Sequence, residues 1–344
     1  MNHLRAGLFA GALAACTALI SAAAPPAQAQ ELTRVTVAFP HPGAIQHFPI
    51  HVAIGEGYFK QEGLDIRVEA VDGSGQVLQA LAAGQAQIGH PGVGPTLSAR
   101  ANGVDVLFIY NHFAKSQFGL VVKDEATYKV PADLKGKIIG VGTADGAEVS
   151  FTRNIFDDLG WKEGTDYTFL PVGDGGMATA AFMRGDIDAY AGAFVDSAIL
   201  TLRGMRLREI TPDKYLGFFG NGYVTTRAYL ERNPKVIEGF GRAIVKATLF
   251  AMNEANTDAV LKHTTAGNPQ EGEDKAFGKA LLASARARVT PTIAGKGWGY
   301  NHPEQFQQWH DALVKSGSLK APLPDLDKAY TNAYIETWNV GATP

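Results

Sequence analysis

One pattern constrains the fold more than any other: a strand–turn–helix–stop unit occurs twice, 101 residues apart. Residues 64–71 alternate as a strand, Asp72-Gly73-Ser74-Gly75 turns, and residues 76–83 read as a helix stopped by Gly84. Residues 167–172, the turn 173–176, the helix 177–184 and the stop at Gly185 repeat that order. At this offset Val71, Gly75, Ala80 and Gly84 coincide with Val172, Gly176, Ala181 and Gly185. The match is short, and its weight lies in falling on the turn glycines and helix stops that a βαβ unit needs. A strand and a helix precede each unit (35–39 and 49–59; 137–142 and 148–159), and a short strand follows it (from Ile88; 187–191). Two such blocks predict an α/β protein of two lobes, each a mostly parallel sheet flanked by helices.

The remaining segments fit that plan. Residues 104–122 are apolar and strand-like, suited to crossing from the first lobe to the second, and the Gly- and aromatic-rich stretch 217–226 suits the return. Amphipathic helices are expected at 234–254, 272–288, 303–316 and 326–338, packed so as to close the first lobe and buttress a hinge. The expected division is therefore a first lobe of residues 30–113 and 226–344 and a second of 114–225, hinged near 111–119 and 217–226.

Residues 1–29 read as an export signal. Arg5 supplies the charged start, residues 6–20 an Ala/Leu/Gly-rich apolar stretch, and Ala27-Gln28-Ala29 a small-residue cleavage site. A rival site ends at Cys16, where Leu13-Ala14-Ala15-Cys16 is similar to a lipoprotein box. The apolar run continues through Ala24, where a lipoprotein would start its polar tether, so cleavage after Ala29 is preferred. No later segment is apolar for the roughly 18 residues that a spanning helix requires. The expected location is the periplasm. Cys16 is the single cysteine of the chain, which excludes disulfide frameworks and multi-thiolate metal sites. Lys and Arg number 31 against 34 Asp and Glu, a balance without the basic footprint of a nucleic-acid binder.

The stretch from Ala53 to Ile66, A-I-G-E-G-Y-F-K-Q-E-G-L-D-I, follows a strand and loop in a way that resembles a family of solute-binding proteins. Its members serve ABC importers of nitrate, sulfonates, taurine and the pyrimidine precursor of thiamine. Ala83-Gly84-Gln85, Asp133-Leu134-Lys135-Gly136-Lys137 and Arg184-Gly185-Asp186-Ile187-Asp188-Ala189 extend the resemblance over nearly the whole chain after the leader. It implies a two-lobed periplasmic-binding-protein fold with hinge closure, no catalysis and no cofactor. It also implies delivery of a small polar organic solute, sulfonate- or taurine-like or a nitrogen heterocycle, to a membrane permease and its cytoplasmic ATPase. A monomer is expected. Alternatives of the same fold are a periplasmic sensor and a relative of the fungal enzymes that make the thiamine pyrimidine. Those enzymes use a reactive Lys/His pair with a cysteine cluster, which this chain lacks.

Ligands of open α/β sheets bind beyond the carboxyl ends of the strands. Three loops per lobe qualify: 40–48, 72–75 and 90–96 in the first, 143–147, 173–177 and 192–197 in the second. These loops contain no Lys or Arg. From them His41, His47, Asp72, Ser74 and His90 are expected to line the first-lobe wall, with Thr143, Asp145, Phe194 and Asp196 opposite. Asp72, Asp145 and Asp174 also suit helix N-caps, above all Asp72 and Asp174. The sharper alternative makes Asp145 and Asp196 acceptors for a nitrogen-bearing solute. Phe48, Phe118, Tyr190 and Tyr223 are further aromatic candidates, for which core packing competes. His47 and His51 have the spacing of a helical metal pair, but Pro49 starts the helix after His47, so no metal site is expected.

Overall fold

The structure is a computed structural model describing residues 31–342. The expected leader, with Cys16 and the Ala29 site, lies outside the described residues. The chain opens with β1 (Thr33–Phe39), α1 (Phe48–Gly55), α2 (Tyr58–Gln61), β2 (Leu64–Ala70), α3 (Gly73–Ala82), β3 (Ile88–Gly89), α4 (Val93–Ala101) and β4 (Val106–Asn111). It crosses to a second sheet through β5 (Phe118–Lys123), β6 (Lys137–Val141), α5 (Ala147–Asp157), β7 (Tyr167–Pro171), α6 (Gly176–Arg184), β8 (Ala189–Ala193), α7 (Phe194–Leu202), β9 (Leu207–Glu209) and α8 (Asp213–Leu216). β10 (Gly222–Thr226) returns to the first sheet. The helices α9 (Arg227–Arg232), α10 (Pro234–Met252), α11 (Thr257–Gly267), α12 (Lys275–Val289), α13 (Pro303–Lys315) and α14 (Ile335–Trp338) complete the chain.

Both sheets have five strands, in the orders β2-β1-β3-β10-β4 and β7-β6-β8-β5-β9. In each, one strand runs against the others: β10 is antiparallel to β3 and β4, and β5 to β8 and β9. Those are the strands by which the chain enters each sheet from the other. The expected two-lobed α/β fold is therefore present, with β1 paired in parallel to β2 and β6 to β7 along their full length.

The core under the first sheet is the larger. α10 brings Ile237, Phe240, Ile244 and Ala247, all fully buried, onto β2 and α1 at the spacing of one helical face. A smaller, separate cluster of Val121, Phe182, Tyr190 and Leu200 sits under α6 and α7. Met183, on that thinner side, stays 75% exposed.

Several elements differ from expectation. The helix foreseen at 49–59 is two helices, broken at Gly57, which takes a left-handed φ of 73°. The helix foreseen at 326–338 is only a 3-10 turn (Leu326–Lys328) and the single turn α14. Side-chain amides hold that segment instead. Asn332 Oδ1 accepts from the Asn301 N–H at 2.8 Å while its Nδ2 donates to the Asn301 carbonyl, and Asn339 treats Trp298 the same way. Such reciprocal pairs satisfy the backbone without a helix. The loops foreseen at 90–96 and 192–197 are mostly helix, because α4 and α7 start at Val93 and Phe194.

Candidate functional site

A cavity of about 600 Å³ opens between the two sheets, at the carboxyl ends of their strands. The turn after β1 contributes Pro40–Gly43, and the start of α3 contributes Gly73 and Ser74. Opposite stand Thr143 and Glu148 around the start of α5, Asp174–Gly176 before α6, and Ala193 and Asp196 at the start of α7. The crossings supply Gln117, Phe118 and Asn221. A third wall was not legible in the sequence: the connection from α11 to α12 brings Asn268, Gln270, Glu271, Glu273 and Asp274 to the rim. The helices assigned to buttressing thus also frame the site. The polar run N-P-Q-E-G-E-D at 268–274 was the available signal, but nothing local says which way such a loop faces.

Of the nine residues expected to bind ligand, His41, Ser74, Thr143 and Asp196 line this cavity. Ser74 is 1% exposed, and its Oγ accepts the Gly92 N–H at 3.2 Å. Thr143 donates its N–H to Glu148 Oε1 at 3.3 Å, and its buried hydroxyl has no partner. Asp196, 7% exposed, accepts the Ala193 N–H on Oδ2 at 3.0 Å, the acidic half of a capping box.

The other five lie elsewhere. His47 caps the start of α1 by position, gives its Nδ1–H to the Gly43 carbonyl at 2.6 Å, and borders a second cavity of about 360 Å³ with His51 and His263. His90 is buried against His112, with 2.8 Å between Nε2 and Nδ1. Phe194 lies beneath the Arg288 guanidinium, 4.3 Å from its ring centre. Asp72 is exposed and caps nothing with its side chain, since α3 shows no side-chain cap bond. Asp145 is exposed and reaches across to the first lobe: a methyl group on Gly73 would meet Thr143 Oγ1 at 2.6 Å and Asp145 Oδ1 at 2.9 Å, and one on Gly75 would overlap that carboxylate. The capping reading fails for all three aspartates, because Gly146 and Gly175 occupy the cap positions next to Asp145 and Asp174 and neither helix shows a side-chain cap bond. Tyr190, Tyr223 and Phe48 are fully buried core residues, whereas Phe118 faces the cavity. Among the described residues no group of three or more His, Cys, Asp or Glu is placed to hold a metal ion.

The electrostatics of the two walls differ. Burial drives the imidazoles of the first lobe neutral: His112 falls to about 3 and His51 to about 4, and His47 and His90 lie well below their usual value, lowered further by neighbouring imidazoles. Burial pushes Glu148 up to about 7, with the nearby Asp174 adding to the rise, and raises Asp196 well above the carboxylate range. His41 is lowered by burial and partly restored by Asp174, which faces it from the other lobe. Six carboxylates border the cavity against one cation, Arg203 at the end of α7. No loop motif announced Arg203 or Glu148, because each lies one or more residues inside or beyond a helix end.

The model of the family described as NMT1/THI5 like matches residues 44–257. The chain is 30% identical over 226 residues to 4-amino-5-hydroxymethyl-2-methylpyrimidine phosphate synthase of Aspergillus parasiticus, covering 60% of this chain and 64% of that protein, a little under two thirds of its length. It is 25% identical over 321 residues to the riboflavin-binding protein RibY of Chloroflexus aurantiacus, covering 91% and 89% of the two chains. Among solved structures, the alkanesulfonate-binding protein SsuA of Xanthomonas axonopodis pv. citri, bound to MOPS, superposes with a TM-score of 0.69 at 19% identity over 88% of this chain and 99% of that one. That likeness speaks for the fold alone.

Proposed function

The chain belongs to the NMT1/THI5-like family, and from that premise we propose that it is the extracytoplasmic solute-binding component of an ABC importer. It captures a small nitrogen-bearing organic solute between its lobes and presents it to a membrane permease without converting it. The lobes of this reading are residues 30–113 with 226–344, and 114–225. Its ligand-binding residues are His41, Ser74, Thr143 and Asp196, joined by Glu148, Asp174 and Asn221.

The observation that carries the reading is a cavity walled by strand-end loops of both sheets, in which carboxylates outnumber cations six to one. A solute touching both lobes favours their closed arrangement by its contacts to each, the thermodynamic requirement for a closing binder. A bare sulfonate or nitrate would meet Glu148, Asp174 and Asp196 with only Arg203 to offset them. A nitrogen heterocycle offers N–H donors to these carboxylates, in keeping with relatives named for a pyrimidine and for riboflavin. The 30% identical relative is named as a synthase, yet among the described residues that line the cavity there is no Lys and no Cys.

Native mass spectrometry of the exported protein tests this. The expected result is a mature chain starting at Gln30, monomeric, carrying a nitrogen-bearing solute that is released unchanged on denaturation. A retained inorganic anion, or a solute altered on incubation, would overturn the reading. Loss of uptake on deleting the partner permease separates importer from sensor.

A further inference from the structure

The cavity also holds information on the charge of its solute. Glu148, Asp174 and Asp196 come from three separate elements, α5, the turn before α6, and α7. A methyl group on Gly142 would overlap Asp174 Oδ1 and stand 3.3 Å from Glu148 Oε1, so two of the carboxylates converge on one spot. The Tyr190 hydroxyl donates to Asp174 at 3.3 Å, the Thr143 N–H to Glu148 and the Ala193 N–H to Asp196. The donors to these acids are neutral, a hydroxyl and backbone N–H groups, and none is an ammonium or guanidinium. The starts of α5, α6 and α7 point here too, and three helix N-termini bring about +1.5 charges at most. Three ionised carboxylates exceed that.

A second observation is independent of the acids. Asn221 is 2% exposed, and its Nδ2 donates to the His90 carbonyl at 3.1 Å, which fixes the orientation of the amide. Its Oδ1 is buried without a partner, and the residue lines the cavity. A methyl group on Gly92 would stand 3.1 Å from that oxygen while overlapping Ala147, the residue before Glu148. An unsatisfied buried acceptor of this kind requires a donor from a ligand or water.

We propose that this corner is a cation subsite for a planar amidinium- or guanidinium-type group, or the equivalent edge of a protonated amino-heterocycle. One N–H of the group binds Asn221 Oδ1, and the others are shared by Glu148, Asp174 and Asp196. The geometry asks for several coplanar N–H donors carrying one positive charge, which an alkylammonium supplies less well. The inference rests on the binding-protein reading above and narrows its ligand from nitrogen-bearing to cationic.

Calorimetry on the mature chain with three near-isosteric probes tests it: benzamidinium, neutral benzamide and benzenesulfonate. Benzamidinium is expected to bind at least about ten-fold more tightly than benzamide, with benzenesulfonate weakest. Its affinity should fall about ten-fold between about pH 8 and about pH 6, because Glu148 takes up a proton near pH 7 while the probe stays charged. The other ionisable groups facing Glu148 are Asp174, Asp196 and Tyr190 on its own lobe, Arg203 at the end of α7, and His41 across the cleft. Protonation of His41 acts in the same direction. Asn221→Leu, which removes the acceptor at a similar size, should weaken benzamidinium about ten-fold or more. Benzamide binding as well as benzamidinium, or no benzamidinium binding up to its solubility limit, overturns the cation subsite and leaves the importer reading standing. Benzenesulfonate as the tightest probe overturns both the cation subsite and the nitrogen-bearing solute of the importer reading.

Discussion

On the first-lobe side, four imidazoles pack in a row, His41, His47, His90 and His112, with successive ring centres 4.8–4.9 Å apart, the last two pairs edge to face. On the second-lobe side stand Glu148, Asp174 and Asp196. Burial acts on both, lowering the histidines and raising Glu148 and Asp196 toward their neutral forms. The outcomes differ because the partners differ. The imidazoles bond one another and the backbone through one nitrogen each, as His90 does with His112 and His47 with the Gly43 carbonyl, and their other nitrogens (His47 Nε2, His90 Nδ1, His112 Nε2) are buried without a partner. The carboxylates face the cavity, where a solute can change their charge. The first wall is a platform, and the second is the reactive surface of recognition.

Acidification should separate the two walls most strongly. A histidine whose folded value lies below its unfolded one contributes fully above about pH 6.5 and loses that contribution as pH falls toward the folded value. His47, His51, His90 and His112 all have that sign. Glu148 and Asp196 have the opposite sign, since protonation relieves them as pH falls from about 7. Four histidines against two carboxylates leave a net loss of stability as pH falls below about 6.5. Urea unfolding across that range measures it, and stability that rises on acidification would invert the comparison.

The next effect is steric. Gly92, on the first-lobe side, has Ala147 of the second lobe against its α-carbon, so Gly92→Leu inserts a side chain where the lobes touch. The expected cost is about 1–3 kcal/mol in stability. Ligand-dependent compaction in solution scattering should also be lost. Unchanged compaction would show that the lobes close about another line.

Asp196 separates structure from charge on the reactive wall. Asp196→Ala removes the acceptor of the Ala193 N–H and should cost about 1 kcal/mol of thermal stability. Asp196→Asn keeps the acceptor and removes an acid whose charged form burial disfavours, so its melting temperature should match or exceed the parent while solute affinity falls. Equal losses in both variants would make Asp196 purely structural. The smallest effect belongs to Asp145→Asn. That exposed carboxylate rests on the first turn of α3, where an anion is worth ~0.3–1 kcal/mol, so melting should shift by no more than that.

The repeated glycines made the two lobes legible, because a positive φ at Gly84 or Gly185 is a local demand that only a few residues meet. The loops at the strand ends followed from the sheet topology, and His41, Ser74, Thr143 and Asp196 came with them. What stayed hidden was settled at a distance. The segment after Leu326 reads as an amphipathic helix, yet the amides of Asn332 and Asn339 tie it to residues 298–301. Asp72 and Asp174 look like caps by type, but Asp72 stays in solvent and Asp174 takes the Tyr190 hydroxyl. Glu148 was invisible as a site residue because acidic residues are ordinary in the first turn of a helix.

The placement of β10 has a consequence for how the molecule assembles. The second sheet is made from one uninterrupted stretch, from Phe118 to Glu209, so its strands become available in a single run. The first sheet is not. β10 lies between β3 and β4, and it appears in the chain only after the whole second sheet. Until residues 222–226 arrive, β3 and β4 each keep an unpaired edge toward a gap one strand wide. The first lobe must therefore fold late although it is synthesised first, through contacts of long sequence separation that are slow to form and prone to wrong pairing in the interval.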